Sequence, residues 1–171
     1  GNMANIKTIT ITEDVSEIVR DVLTNAYLTG QTKEFEGASY KQASNMQGSN
    51  NDEDRRQIIR SIESAFTSLK NFVAEYLIEN NTESNNNYLS PIFNDEELTL
   101  TFTMPANYNN TAVDSLADNI HAYLVSMALT EWFAITSKPD MEIYASQSTK
   151  NLINIKRALY RRRRPHRPIK K

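Results

Sequence analysis

The residue pattern predicts a mainly α fold of about four helices with a small two-stranded antiparallel β element. Three observations carry that prediction. Apolar residues recur at helical spacing in four separate runs. Two short runs alternate threonine with large apolar side chains. The 171 residues include only four Gly and five Pro, so long elements run unbroken. A chain of this length holds one domain with a sizeable core. The expected organisation is a single helical domain over residues 1–160, with a mobile loop at 31–51, followed by a basic C-terminal tail over 161–171.

Ile6-Lys7-Thr8-Ile9-Thr10-Ile11-Thr12 is mostly β-branched and alternating, which reads as a short strand with Ile9 and Ile11 on its buried face. Thr12 or Asp14 then caps the first helix, and Asp14 with Glu17 has capping-box spacing. Val15, Ile18, Val19, Val22, Leu23, Ala26 and Tyr27 repeat at helical period, and Gly30 falls where a left-handed C-cap belongs. Residues 31–51 lose the pattern, with Phe35, Tyr40 and Met46 their large apolar groups. A loop of about twenty residues inside a compact domain is commonly functional or disordered.

Asn51 or Asp52 starts the second helix, with Asp52, Glu53 and Asp54 in the first turn, where the helix dipole favours them. Ile59, Ile62, Phe66, Leu69, Val73 and Tyr76 form its stripe, widened by Ile58, Ala65 and Phe72. Burying that face is worth roughly 15–25 kcal/mol gross, at about 1.5–3 per large side chain. Ordering entropy offsets most of it. This helix, to about Leu77, is the expected spine of the core. The same stripe also suits a coiled-coil seam, but it is short and wide for one, so an intramolecular role is preferred.

Residues 79–94 form a polar loop with three consecutive Asn at 85–87, and a third strand is expected around Tyr88–Phe93. Leu98, Leu100, Phe102 and Met104 then alternate with Thr99, Thr101 and Thr103 up to Pro105, the cleanest strand in the chain. It is expected to pair with residues 6–12, because a lone strand leaves its backbone groups unpaired. Thr111 is placed to cap the third helix, with Asp114 three residues on. That helix carries Val113, Leu116, Ala117, Ile120, Tyr123, Leu124, Met127, Ala128 and Phe133, with Trp132 near its end; Trp132 and Phe133 suit an interface anchor or core, and core is preferred. Pro139 suits N1 of a fourth helix using Met141, Tyr144, Ala145, Leu152, Ile155 and Leu159.

Several function classes find no support in the residues. There is no Cys, hence no disulfide or thiolate metal site. No apolar run approaches the roughly 18 residues of a membrane span. Gly1-Asn2-Met3 opens without a basic n-region or an apolar h-region, so no secretory leader is expected. Nucleotide-binding, zinc-protease and serine-hydrolase motifs are missing. The run Asp52-Glu53-Asp54-Arg55-Arg56 lacks calcium-loop spacing and reads as capping and ion pairing. His121 is the only histidine outside the tail, with Asp118 and Glu131 near it in sequence but no i, i+4 His–carboxylate arrangement. It reads as an ordinary, partly exposed helical histidine rather than a metal ligand or general base. The expected protein is not an enzyme and needs no cofactor or metal.

The charge distribution is lopsided. Residues 1–155 hold ten basic and all 21 acidic residues, a formal −11; residues 156–171 hold nine basic residues and no acidic one. The candidate partner or phosphate contacts are therefore Lys156, Arg157, Arg161, Arg162, Arg163, Arg164, Arg167, Lys170 and Lys171. Four consecutive Arg favour bidentate grip on phosphate or carboxylate. Pro165 and Pro168 stiffen the segment into an extended arm. Three uses suit it: a solvated end that aids solubility, non-specific contact with nucleic acid, or an assembly arm lying on a neighbour's acidic body.

One further pattern links these pieces. A short strand enters an acid-capped helix, and a polar loop leads to the Asp-Glu-Asp-Arg-Arg helix. A threonine-rich strand follows, then a helix ending Glu-Trp-Phe and a helix ending Leu-Tyr-Arg-Arg-Arg-Arg-Pro. Over most of residues 5–168 this order resembles prophage-encoded structural proteins similar to tailed-phage head–tail connector (neck, adaptor) proteins. The 31–51 excursion is additional to that pattern. The resemblance implies a non-enzymatic, ring-forming role: a connector or tail-completion-like protein, homo-oligomeric and in contact with neighbouring virion proteins. It further implies a protein that is cytoplasmic during assembly and then part of the virion. The alternative is a nucleic-acid-binding accessory protein that uses the basic tail non-specifically.

Overall fold

The computed structural model describes residues 6–35, 52–78 and 96–163. Its elements run β1 (Ile6–Asp14), α1 (Val15–Phe35), α2 (Asp52–Phe72), β2 (Glu97–Pro105), α3 (Val113–Thr136) and α4 (Lys138–Leu159), with 3-10 turns at Ala74–Tyr76 and Asn110–Ala112. This is the mainly α architecture with a two-stranded antiparallel sheet that the residue pattern predicts. Tyr40 and Met46 of the expected loop, the Asn run at 85–87, and the strand expected at 88–93 lie outside the described residues.

β1 and β2 pair along their whole length, Ile9 opposite Phe102 and Ile11 opposite Leu100. Alternation puts Ile11, Leu98, Leu100, Phe102 and Met104 into the core, with Ile9 partly covered. The other face is a threonine ladder. Thr10 faces Thr101 and Thr12 faces Thr99, each with hydroxyls 3.5 Å apart. Leu77 bridges to Phe102, and the Ile78 N–H donates to the Thr101 carbonyl at 3.1 Å, which covers one point of β2's far edge.

Asp14, not Thr12, starts α1. Its Oδ1 accepts from the Ser16 hydroxyl at 2.7 Å and from the Ser16 N–H at 2.9 Å. These bonds, the side-chain one foremost, hold the Asp14 carboxyl below the usual carboxylate range. Val15, Ile18, Val19, Val22 and Ala26 are buried as the spacing predicts, whereas Tyr27 is 43% exposed. α1 does not stop at Gly30; it continues to Phe35. Gly30 is buried and extends the Val22–Ala26 row by one turn, so it serves packing instead of ending the helix. Beside it, Thr29 and Tyr144 hydroxyls share a 2.9 Å hydrogen bond that ties α1 to α4.

In α2 the buried row is Ile58, Ser61, Ile62, Ala65, Phe66 and Leu69, while Ile59 lies at its margin and Phe72 is 43% exposed. The helix ends at Phe72, and Val73 to Tyr76 tighten into the 3-10 turn instead of carrying it to Leu77. Nor is α2 the spine. α3 packs against α1, α2, α4 and β1, most extensively against α4. The reason is in its circumference: Tyr123, Leu124, Val125 and Ser126 are four consecutive buried residues. A clean amphipathic stripe keeps a helix at the periphery; a helix apolar on several sides goes to the middle.

α3 is not capped by Thr111. Asn109 accepts the Thr111 N–H at 3.0 Å and its hydroxyl at 2.7 Å, so the capping side chain serves the 3-10 turn that leads into α3. Phe133 is fully buried and Trp132 packs against the core beside it. α4 follows after the single residue Ser137, with Pro139 in its first turn as expected. The Ser137 hydroxyl donates to buried Asp140 at 2.6 Å, and Phe133 stacks on Tyr144 with centroids 5.7 Å apart.

Candidate functional site

The predicted contact residues begin on the last turn of α4. Lys156 and Arg157 are exposed there, at a helix end whose dipole favours cations. Tyr160 closes the helix, its N–H shared between the carbonyls of Lys156 and Arg157, each 3.2 Å away. The chain beyond does not leave the body at 161. The Asn109 N–H donates to the Arg161 carbonyl at 3.1 Å, the Arg163 N–H donates to the Asn107 carbonyl at 2.7 Å, and Tyr108 and Arg162 face each other as an antiparallel bridge. The expected tail boundary therefore moves: residues 161–163 are a short extended segment pinned to the loop after β2. Arg164, Arg167, Lys170 and Lys171 lie outside the described residues.

Extended backbone sends successive side chains to opposite sides. Arg161 and Arg163 are exposed, and Arg162 turns inward. Its Nη1 donates to the carbonyls of Leu159 at 2.9 Å and Arg161 at 3.0 Å, which satisfies helix-end acceptors. Its guanidinium lies 6.0 Å from the Tyr108 ring and 5.9 Å from the Tyr160 ring, within cation–π range. Tyr160 in turn meets Tyr76 edge-on at 5.9 Å. Tyr108 is fully buried, and its hydroxyl donates to the Ala158 carbonyl at 2.9 Å. Burial raises that phenol above its usual range, against the pull of the Arg162 and Arg161 charges. Burial and then the hydrogen bond to Tyr160 raise the Tyr76 phenol likewise. Lys7 joins the same loop from β1, its Nζ donating to the Tyr108 carbonyl at 3.1 Å and to Asn110 Oδ1 at 3.4 Å.

Of the predicted contacts, then, Arg162 is a structural lock, and Lys156, Arg157, Arg161 and Arg163 are exposed. Two outward guanidinia on a fixed backbone suit bidentate contact with carboxylate or phosphate. Sequence reasoning did not find the lock. Its one local signal was a large aromatic, Tyr108, amid the polar Asn107–Asn110 loop.

His121 takes partners that helical spacing does not show. Its Nδ1 lies 3.0 Å from Glu13 Oε2, at the end of β1, and its Nε2 lies 2.6 Å from Asp21 Oδ2, on α1. Both ring nitrogens point at carboxylates, so the fully bonded form is the imidazolium. The Glu13 bond foremost, then that to Asp21, raises the group to about 9, against the opposing effect of burial. A ring charged at neutral pH, with both nitrogens engaged, is suited to neither metal ligation nor general-base chemistry. Glu131, its sequence neighbour, instead accepts a hydrogen bond from Ser61 on α2. Among the described residues no group of His, Asp and Glu has the arrangement of a metal site. None of their helices is long and apolar enough to cross a membrane. Lys70 is half-buried over the Phe66 ring at 4.5 Å, and burial lowers it to about 8.

In the comparisons with known proteins, no family model matches the chain, and neither does any curated protein or solved structure.

Proposed function

We propose that this chain is a non-enzymatic assembly protein of a phage-type particle, connector-like or tail-completion-like, that works through contacts between copies and with neighbouring virion proteins. The observation that carries the reading is the anchoring of the basic end. Hydrogen bonds at 2.7 and 3.1 Å fix residues 161–163 against the body, with Arg161 and Arg163 facing outward. A fixed cationic edge on a body of net charge −11 is complementary to another copy of itself. Attraction of this kind reaches only about 10 Å at 0.1 M salt, so it favours close docking over long-range capture. The order of elements, which resembles connector proteins, supports the same role.

The test removes outward charge and spares the lock. The variant carries Arg161→Gln and Arg163→Gln, keeps Arg162, and stops after Arg163. Sedimentation across concentration and salt, and binding to DNA duplexes of unrelated sequence, are measured on it and on the full chain. The expected result is a full chain that self-associates and a variant that folds but loses the salt-sensitive part of that association. Unchanged association together with loss of tight duplex binding would sink the assembly reading and leave the nucleic-acid reading. In that case duplex affinity of the full chain would fall with log salt at a slope near −0.9 per phosphate neutralised.

A further inference from the structure

Among the described residues β1 has an open edge. Thr101 uses its carbonyl to accept from Ile78, on the side away from β1. In an antiparallel pair both backbone groups of a residue point the same way, so Thr101 and its partner Thr10 form a pair that exchanges no bonds with each other. Thr10, and by the two-residue period Thr8 and Thr12, therefore aim their N–H and C=O groups away from β2. The Val15 N–H bonded to the Glu96 carbonyl has the inward parity this requires of odd-numbered β1 residues. Among the described residues nothing pairs with that outer edge. Thr8, Thr10 and Thr12 are exposed, and no Pro, Gly or charge interrupts residues 8–12. Such an edge is a template for another strand.

Residues 8–12 of the strand are palindromic about Thr10, and two opposite charges flank them at equal distance. Lys7 mirrors Glu13, Thr8 mirrors Thr12, and Ile9 mirrors Ile11. We infer that two copies of the chain dimerise by antiparallel pairing of β1 with the neighbour's β1, centred on Thr10, to give a continuous four-stranded sheet. This inference rests on the reading that the chain works as an oligomer, and it names the surface. In that register Thr10 meets the neighbour's Thr10, and Thr8 meets the neighbour's Thr12. The outward groups on both strands then face each other and exchange about six main-chain hydrogen bonds. Ile9, only partly covered within one copy, lies beside the neighbour's Ile11. Lys7 of each copy arrives opposite Glu13 of the other. There it meets the Glu13–His121–Asp21 cluster, in which two carboxylates surround one imidazolium. Within one copy that Lys7 donates to the Tyr108 carbonyl and Asn110, so the neighbour's carboxylates add a charged partner to an amine that already has neutral ones. The interface is isologous, so it closes at two copies.

Three substitutions at Thr10 test this, because its side chain lies on the exposed threonine face and its N–H points away from β2, with no partner among the described residues. Thr10→Lys sets two like charges side by side at the dimer centre. Thr10→Pro deletes the outward donor and removes no β1–β2 bond. Thr10→Cys, in a chain with no other cysteine, places two thiols within disulfide reach across the axis only in this register. The expected full chain sediments at twice its 19.5 kDa mass at least. Thr10→Lys and Thr10→Pro lose that pairing while Thr10→Lys keeps the melt of the full chain, and Thr10→Cys cross-links on oxidation whereas Thr103→Cys does not. Association unchanged in Thr10→Lys, with no cross-link in Thr10→Cys, overturns the inference and leaves the assembly reading standing on its basic edge. A full chain that remains at 19.5 kDa at every concentration overturns self-association by either surface and leaves the β1 edge to a strand of another protein.

Discussion

The two ends of β1 are fastened to the helices by different chemistry. At its C-terminal end, Glu13 and Asp21 hold the His121 imidazolium between them. At its N-terminal end, Lys7 bonds the Tyr108 carbonyl, and Tyr108 holds the Arg162 guanidinium with its ring and the end of α4 with its hydroxyl. Both fastenings centre on a cation, and both join segments about 100 residues apart. They differ in what releases them. The histidine clamp lasts only while its ring is charged, whereas the arginine keeps its charge throughout the working pH range. One sheet thus carries a titratable fastening and a permanent one.

The middle of the sheet sets the scale for both ends. Phe102 is fully buried opposite Ile9, and Phe102→Ala is expected to cost about 3–5 kcal/mol in denaturant melts. Thr101→Ala, on the threonine face, is expected to cost less than about 1 kcal/mol. Equal costs would mean that the sheet is covered on both sides, and the two ends would then not be its main fastenings.

Arg162→Ala tests the permanent end. It leaves the Leu159 and Arg161 carbonyls without their charged donor and strips the cation from two tyrosine rings. The expected loss is about 1.5–3 kcal/mol, the same at pH 6 and at pH 9. A strongly pH-dependent loss would remove the contrast between the ends.

His121→Ala tests the titratable end. The ring sits near 9 in the fold against 6.5 in an unfolded chain, so its contribution is fully present below pH 6.5 and is lost as pH rises through 9. The ring and Asp21 are partly solvated, so screening trims that contribution to about 1–2 kcal/mol at pH 6. Melts of the two proteins should therefore differ at pH 6 and converge above pH 9. A difference that grows with pH would reverse the assignment of charge.

The smallest effect separates ring from hydroxyl at the permanent end. Tyr108→Phe keeps the ring beside Arg162 and deletes only the bond to the Ala158 carbonyl, for about 1 kcal/mol. A loss as large as that of Arg162→Ala would show that the hydroxyl, not the cation, holds α4 down.

Much of this architecture is legible locally. The Thr-alternating runs declare their buried faces, and Ile11, Leu98, Leu100, Phe102 and Met104 are buried as the period of two requires. Asp14 reads as a cap because a carboxylate two residues before Ser16 reaches its N–H without help from the rest of the fold. Among the site residues, exposure of Lys156 and Arg157 follows from charge, whereas charge does not separate Arg161 and Arg163 from inward-turned Arg162; the extended backbone does. Gly30 was misleading, because a glycine serves a helix end and a tight helix contact equally well.

What the sequence by itself determined is whatever depends on neighbours within a few residues: strand faces, helix starts to within a turn, a first cap narrowed to Thr12 or Asp14, and the charge imbalance between body and C-terminal end. Tertiary structure alone decided which helix is central, since that follows from how many sides of α3 find partners and not from the neatness of any one stripe. It also decided the roles of His121 and Arg162. Partners for His121 come from 100 and 108 residues away, and Arg162 folds back onto a loop more than fifty residues upstream. Side-chain pairing of this kind has no periodicity to leave in the chain. It is chosen by the low dielectric and fixed geometry that arise only after the helices have packed.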